Sequence, residues 1–132
     1  MSDFNEKLSN FKNAIMRLQE AAELFKASNA GDVIRDGMIQ RFEFTYELAW
    51  KSMRGHLESV GIVDVNSPRA VIKESYAQKL IINEQNWLIM LNDRNLTTHI
   101  YKEKVAIEIA ERIVNIYIDE FDELLYKLQQ SR

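Results

Sequence analysis

Arg94, His99 and Tyr101 lie in the stretch MLNDRNLTTHIYKEK, residues 90–104, at a spacing of Arg-x4-His-x-Tyr. An imidazole is the side chain best suited to accept and return a proton near neutral pH. A guanidinium is permanently charged, and its fork of donors matches the oxygens of a phosphate. Together the two could cleave a phosphodiester without metal. The histidine would take the proton of a ribose 2′-hydroxyl while the arginine stabilises charge at phosphorus. The hydroxyl of Tyr101 would hold the phosphate or serve as a modification site. The pattern alone is weak, because it arises by chance in many helical proteins. Its bland alternative is a His99 that caps a helix or is partly buried.

Other residues offer less. His56, in MRGHLESVG, has no comparable neighbours and reads as structural. Glu43 and Glu47 lie four apart on one helical face, but no matching His/Asp set accompanies them, so they make no metal site. The chain has no cysteine, which excludes disulfides, thiolate metal ligands and a cysteine nucleophile. No Gly-rich phosphate loop is present, nor a serine placed beside a histidine. The expectation is therefore a protein without metal or cofactor.

Five residues along an unbroken helix rotate a side chain by about 140°, so Arg94 and His99 would point apart. They converge only if the helix ends or bends between them. Asn95, Thr97 and Thr98 supply the means, since their side chains bond locally to backbone and favour caps and turns. RNLTTHIY is thus expected at a junction between a fourth and a fifth helix. The N-terminus of the fifth helix would add positive potential suited to a phosphate.

The rest of the chain reads as the helices that flank this junction. Phe4, Leu8, Phe11, Ile15, Leu18, Ala22 and Phe25 alternate at spacings of four and three, the stripe of an amphipathic helix. Asn29-Ala30-Gly31 is its expected end. Met38, Phe42, Ala49, Met53, Leu57 and Val60 mark a second helix, widened by Tyr46 and Trp50 and stopped at Gly61. Ser67 fits an N-cap, with Pro68, the only proline, at the first position of a short third helix over about 69–78. Asn83 fits the cap of a fourth helix, rich in Trp87, Leu88, Met90 and Leu91. A fifth runs over about 102–129, with Ile109, Ile113, Ile116, Phe121, Leu124 and Leu128 toward the core. Helical spacing favours a core role for Trp50, whereas Trp87 stays open between core and base-stacking platform. The fold class is all-α: an up-and-down bundle of four to five antiparallel helices, with residues 1–132 as one helical-bundle domain.

The N-terminus lacks the basic region and apolar run of a signal peptide, and no uncharged stretch approaches a membrane span. A cytoplasmic location is expected. A net charge of −3 argues against broad electrostatic capture of nucleic acid. The charge is unevenly spread. Glu108, Glu111, Asp119, Glu120, Asp122 and Glu123 face only Arg112 in the last helix, while the segment 69–104 carries an excess of bases.

The segment RFEFTYELAWKSMRGHLESVG, residues 41–61, closely resembles the nucleotidyltransferase substrate-binding protein family, and MLNDRNLTTHIY is the other segment typical of it. The likeness runs from the Phe4 helix to the last helix. That family belongs to the wider HEPN group, whose HepT-type members are toxins of two-gene toxin–antitoxin modules. The resemblance implies a helical bundle that forms a homodimer, bringing two copies of the motif face to face. It implies a minimal nucleotidyltransferase, encoded nearby, as partner. Arg94 and His99 match the catalytic pair of HEPN ribonucleases, which act without metal. Tyr101 matches the tyrosine to which the partner transferase adds AMP in HepT-type systems. Asp93 and Asn95 match polar positions that, with Tyr101, would contact nucleotide or RNA. The threonines of NLTTHIY and the acidic last helix depart from the established toxins. Two functions therefore remain: an endoribonuclease toxin, or a non-catalytic subunit that binds a nucleotide or other substrate for a separate transferase.

Overall fold

The computed structural model of the protein describes residues 2–27 and 31–131. Helix α1 (Ser2–Ala27) and helix α2 (Asp32–Ser59) form a long antiparallel hairpin. Helix α3 (Pro68–Ala77) and helix α4 (Glu84–Leu96) follow, and α4 runs into a single 3₁₀ turn, Thr97–His99. Helix α5 (Glu103–Arg112), a π-helical turn (Ile113–Tyr117) and helix α6 (Ile118–Gln130) form one continuous rod along the last quarter of the chain. The expected up-and-down bundle is what the described residues form.

Local chemistry explains the boundaries. The Ser67 side chain accepts from the Ala70 N–H at 3.2 Å, with Pro68 opening α3. The Asn83 side chain accepts from the Asn86 N–H at 2.9 Å and opens α4. Each such cap stabilises by about 1 kcal/mol. Past the end of α2, Gly61 takes φ +91°, a conformation that costs other residues a Cβ clash. The expected end of α1 at residues 29–31 falls largely outside the described residues, although Gly31 itself is the N-cap of α2.

The apolar stripes meet in one core. Leu8, Phe11, Ile15 and Leu18 of α1 are buried against Met38, Phe42, Ala49 and Met53 of α2, with Phe4 and Phe25 partly buried at the two ends. At its centre Phe42 stacks on Tyr117 with ring centroids 5.4 Å apart. Phe121 receives the edges of Phe11 at 6.1 Å and Trp87 at 5.8 Å. Burying side chains of this size contributes about 1.5–3 kcal/mol each, and each aromatic pair about 0.5–1.5 kcal/mol more. Trp87, whose role was open, is fully buried and pins α4 to the rod. It is no exposed stacking platform. Trp50 is also buried, under the guanidinium of Arg54. No helix among the described residues is long and apolar enough to cross a membrane.

Candidate functional site

The buried stripe of α4 starts apolar and ends polar. Trp87 and Met90 face the core, and Asp93 and Thr97 continue the same face at spacings of three and four. Asp93 is 1% exposed. It accepts from Arg112 Nε at 2.6 Å and Arg112 Nη2 at 2.9 Å, and also from the hydroxyl of Tyr117 in the π-helical turn. A bidentate arginine–carboxylate pair is strong and directional. Burial, and then the hydrogen bond to Asp93, push the Tyr117 hydroxyl far above the ordinary tyrosine range. The hydrogen bonds that Arg112 donates to Asp93 likewise raise its guanidinium. Asp93, expected to contact nucleotide or RNA, sits here in the interior on Arg112 and Tyr117. Its carboxylate is consumed in the interior, where it fastens the last turns of α4 to the rod.

Arg94, one residue on, turns toward α2. Its Nη1 lies 3.3 Å from the Thr97 hydroxyl and 3.5 Å from Glu43 Oε2, and its Nε lies 3.7 Å from Glu47 Oε2. Thr97, nearly buried, places its hydroxyl oxygen 2.5 Å from Glu43 Oε2 and 2.7 Å from the Arg94 carbonyl. The Nη2 group has no hydrogen-bond partner among the described residues. Tyr46 is buried behind the pair, and burial, then the charge of Glu47, push its hydroxyl up while Arg94 pulls it down. Nη1 is thus held on the α2 side, and Nε is buried beside Glu47 without a hydrogen bond.

The helix does end between Arg94 and His99, as their spacing requires: α4 stops at Leu96 and the 3₁₀ turn carries His99. His99 and Tyr101 are both exposed, with Nδ1 3.3 Å from the tyrosine hydroxyl. Asn95 is exposed on α4. No hydrogen bond or ion pair among the described residues joins Arg94 to His99, so the break frees the two side chains without linking them. α5 begins two residues past Tyr101, but Glu103 in its first turn, 3.8 Å from Arg35, offsets part of the positive end. No group of three His, Asp or Glu among the described residues could hold a metal ion.

Glu43, Glu47 and Tyr46 were not singled out for this site by sequence reasoning, and Thr97 was read only as a turn former. A signal existed. Glu43 has no base three or four residues away on its own helix, where Ile39, Gln40, Tyr46 and Glu47 stand, so its partner had to lie elsewhere.

Residues 6–130 match the family described as nucleotidyltransferase substrate binding protein like. A Haemophilus influenzae protein named "Probable ribonuclease HepT" is 30% identical over 103 residues, covering 75% of this chain and 70% of the relative. A solved Haemophilus influenzae structure, described as the fold of a substrate binding domain of a nucleotidyltransferase, is 25% identical. It superposes with a TM-score of 0.85 over 93% of this chain and 99% of its own. A tri-AMPylated Shewanella oneidensis HEPN toxin, solved in complex with its MNT antitoxin, has the same fold, with a TM-score of 0.78 at 17% identity and 96% coverage of each chain.

Proposed function

From the premise that the chain belongs to the nucleotidyltransferase substrate binding protein like family, we propose that it is the partner subunit of a minimal nucleotidyltransferase. In this reading it is the HepT-like member of a two-gene toxin–antitoxin module and cleaves RNA without metal. One observation carries the reading. An arginine held on its α2 side, with Nη2 unclaimed, is followed directly by an exposed turn in which His99 and Tyr101 are hydrogen-bonded. If Nδ1–H donates to the tyrosine oxygen, Nε2 keeps its lone pair and can take the 2′-hydroxyl proton. The 2′-oxygen then bonds to phosphorus, the P–O5′ bond breaks, and the imidazolium returns its proton to the departing 5′-oxygen. Arg94 stabilises the charge on the phosphoryl oxygens. AMP on Tyr101 would set a bulky anion against Nδ1 and block the step. The name of the Haemophilus relative, a probable ribonuclease HepT, supports this reading.

A second reading has its own observation. Glu43 and Glu47 beside Arg94 make the local charge balance negative, which opposes capture of an RNA strand through many phosphates more than it opposes holding one small substrate for a separate transferase. The test is purified wild type with RNA beside His99→Ala and Arg94→Ala, all matched for folding by circular dichroism. Each substitution is expected to cost about 10²–10⁴-fold in cleavage rate, with EDTA without effect. Tyr101→Phe should still cleave and should accept no AMP from the co-expressed transferase. Equal, negligible cleavage by wild type and His99→Ala eliminates the nuclease and leaves the binding subunit.

A further inference from the structure

We infer that Glu43, acting through the hydroxyl of Thr97, is a positioning residue that fixes the direction of the Arg94 guanidinium. The inference rests on the reading of Arg94 as the anion-handling residue. A threonine hydroxyl has one proton. Here its oxygen lies 2.5 Å from a carboxylate oxygen and 2.7 Å from the carbonyl of Arg94. The charged acceptor forms the stronger bond, so the proton goes to Glu43. A lone pair of the hydroxyl oxygen is then left to accept from Arg94 Nη1 at 3.3 Å. Glu43, Thr97 and Arg94 close a ring across two helices, and Glu43 also faces Nη1 directly at 3.5 Å.

The ion-pair distances of 3.5 and 3.7 Å are too long for strong bonds, so they hold Arg94 by charge. Direction comes from Thr97, whose hydroxyl is itself fixed at 2.5 Å from Glu43 and 2.7 Å from the Arg94 carbonyl and accepts from Nη1 at 3.3 Å. Thr97 is 4% exposed, which shields its hydroxyl from competing water, while Glu43 and Arg94 are each about a third exposed. Nε also makes no hydrogen bond but is buried, so Nη2 is the donor that remains to meet a phosphate. Arginine side chains carry large rotamer entropy, and a guanidinium fixed in advance need not be ordered at the moment of reaction. The same carboxylates reduce the positive charge at the site. They are suited to aiming the arginine rather than to raising its affinity for anions.

These two effects of the carboxylate separate in experiment. Glu43→Ala removes both the aim and the negative charge, so kcat for RNA cleavage should fall about 10- to 100-fold while KM stays level or drops. Thr97→Val should lower kcat by a comparable factor, and Thr97→Ser, which keeps the hydroxyl, should recover most of it. The readout that a general packing defect would not move is the order of the Arg94 side chain. It is measured as the ¹⁵Nε–¹H heteronuclear NOE of a resonance assigned by its loss in Arg94→Lys. The NOE should be high in wild type and Thr97→Ser and fall sharply in Glu43→Ala and Thr97→Val. An NOE unchanged in both of the latter overturns the inference, as does a raised KM with kcat unaltered. If wild type cleaves no RNA, the nuclease reading fails, and the NOE series still decides whether Glu43 aims Arg94. If Glu43→Ala does not fold, the Thr97 pair carries the same test.

Discussion

Asp93 and Arg94 are neighbours in sequence, and the energies of their contacts assign them opposite work. Asp93 is buried with two arginine donors and a tyrosine hydroxyl on it. Arg112 is itself a third exposed, but removing the carboxylate leaves the buried Tyr117 hydroxyl without its acceptor, at a cost of about 1–3 kcal/mol. Arg94 and its two glutamates are each about a third exposed, and pairs of that kind contribute about 0.2–1 kcal/mol. A strong contact that faces inward maintains the fold. A weak one that leaves donors free is available to a ligand. Asp93→Ala should therefore lose about 1–3 kcal/mol in urea unfolding, and Arg94→Ala less than about 1 kcal/mol. Equal losses in the two variants would undo this division. The motif spacing in the sequence made Arg94, His99 and Tyr101 legible as a group. It could not reveal that Asp93 belongs to the interior, because that depends on Arg112 and Tyr117, whose side chains arrive from another helix.

At the scale of the elements, the sequence was legible wherever structure is local. The stripes of α1 and α2, the caps Ser67 and Asn83 and the stop at Gly61 depend on residues within a turn or two of one another. The π-helical turn Ile113–Tyr117 was not foreseen, since its residues are ordinary helix or core residues and nothing in their order marks an extra one. Its consequence is that Tyr117 reaches both Phe42 and Asp93, which ties the rod to α2 and α4 together. One turn further on, Glu120 shows the cost of packing an acidic helix. Burial raises its carboxyl above the ordinary 4.5, the hydrogen bond from Asn86 opposes that, and the charge of Glu123 adds to it. One of its oxygens is buried without a described partner. With the folded-state value raised, the folded chain binds protons more tightly than the unfolded one. The penalty is then complete above the raised value and vanishes below about 4.5. His56 runs the other way: burial lowers it from 6.5, so acid destabilises through that group. The wild-type pH curve mixes the two, and a difference curve isolates one. Glu120→Gln is expected to be more stable than wild type at pH 7, with the gain shrinking to nothing near pH 4. A gain that persists unchanged at pH 4 would mean that packing, not ionisation, is responsible.

The whole molecule leaves apolar side chains in solvent on its longest helices: Met16 and Leu24 on α1, Val33 and Phe44 on α2, and Ile107 and Tyr126 on the last rod. The resemblance in sequence implies a homodimer that brings two copies of the motif face to face. The exposed residues of α1 enlarge the surface available to it. Of the exposed side chains, Phe44 lies in a groove of about 560 Å³ between α1 and α2, lined also by Ala14, Arg17, Gly37, Gln40 and Arg41. Arg41 there is neutralised by Glu20 at 2.8 Å, so like charges need not oppose a two-fold contact. A dimer that persists at micromolar concentration should bury about 1,200–2,000 Å² in total. An apolar contact and a charged one respond differently to salt. A homodimer centred on Phe44 should survive about 0.5 M salt, where exposed charges are screened within a few ångströms. A transferase held by the acidic face of α6 should be released under the same conditions. Sedimentation velocity at low and high salt, alone and with the co-expressed transferase, separates the two associations. Phe44→Glu should shift the isolated protein to monomer, whereas Tyr76→Glu, exposed on α3 and outside this groove, should leave the dimer in place. Wild type that sediments only as monomer at micromolar concentration would remove the dimer, and with it the expectation that two copies of the Arg94–His99 turn face each other.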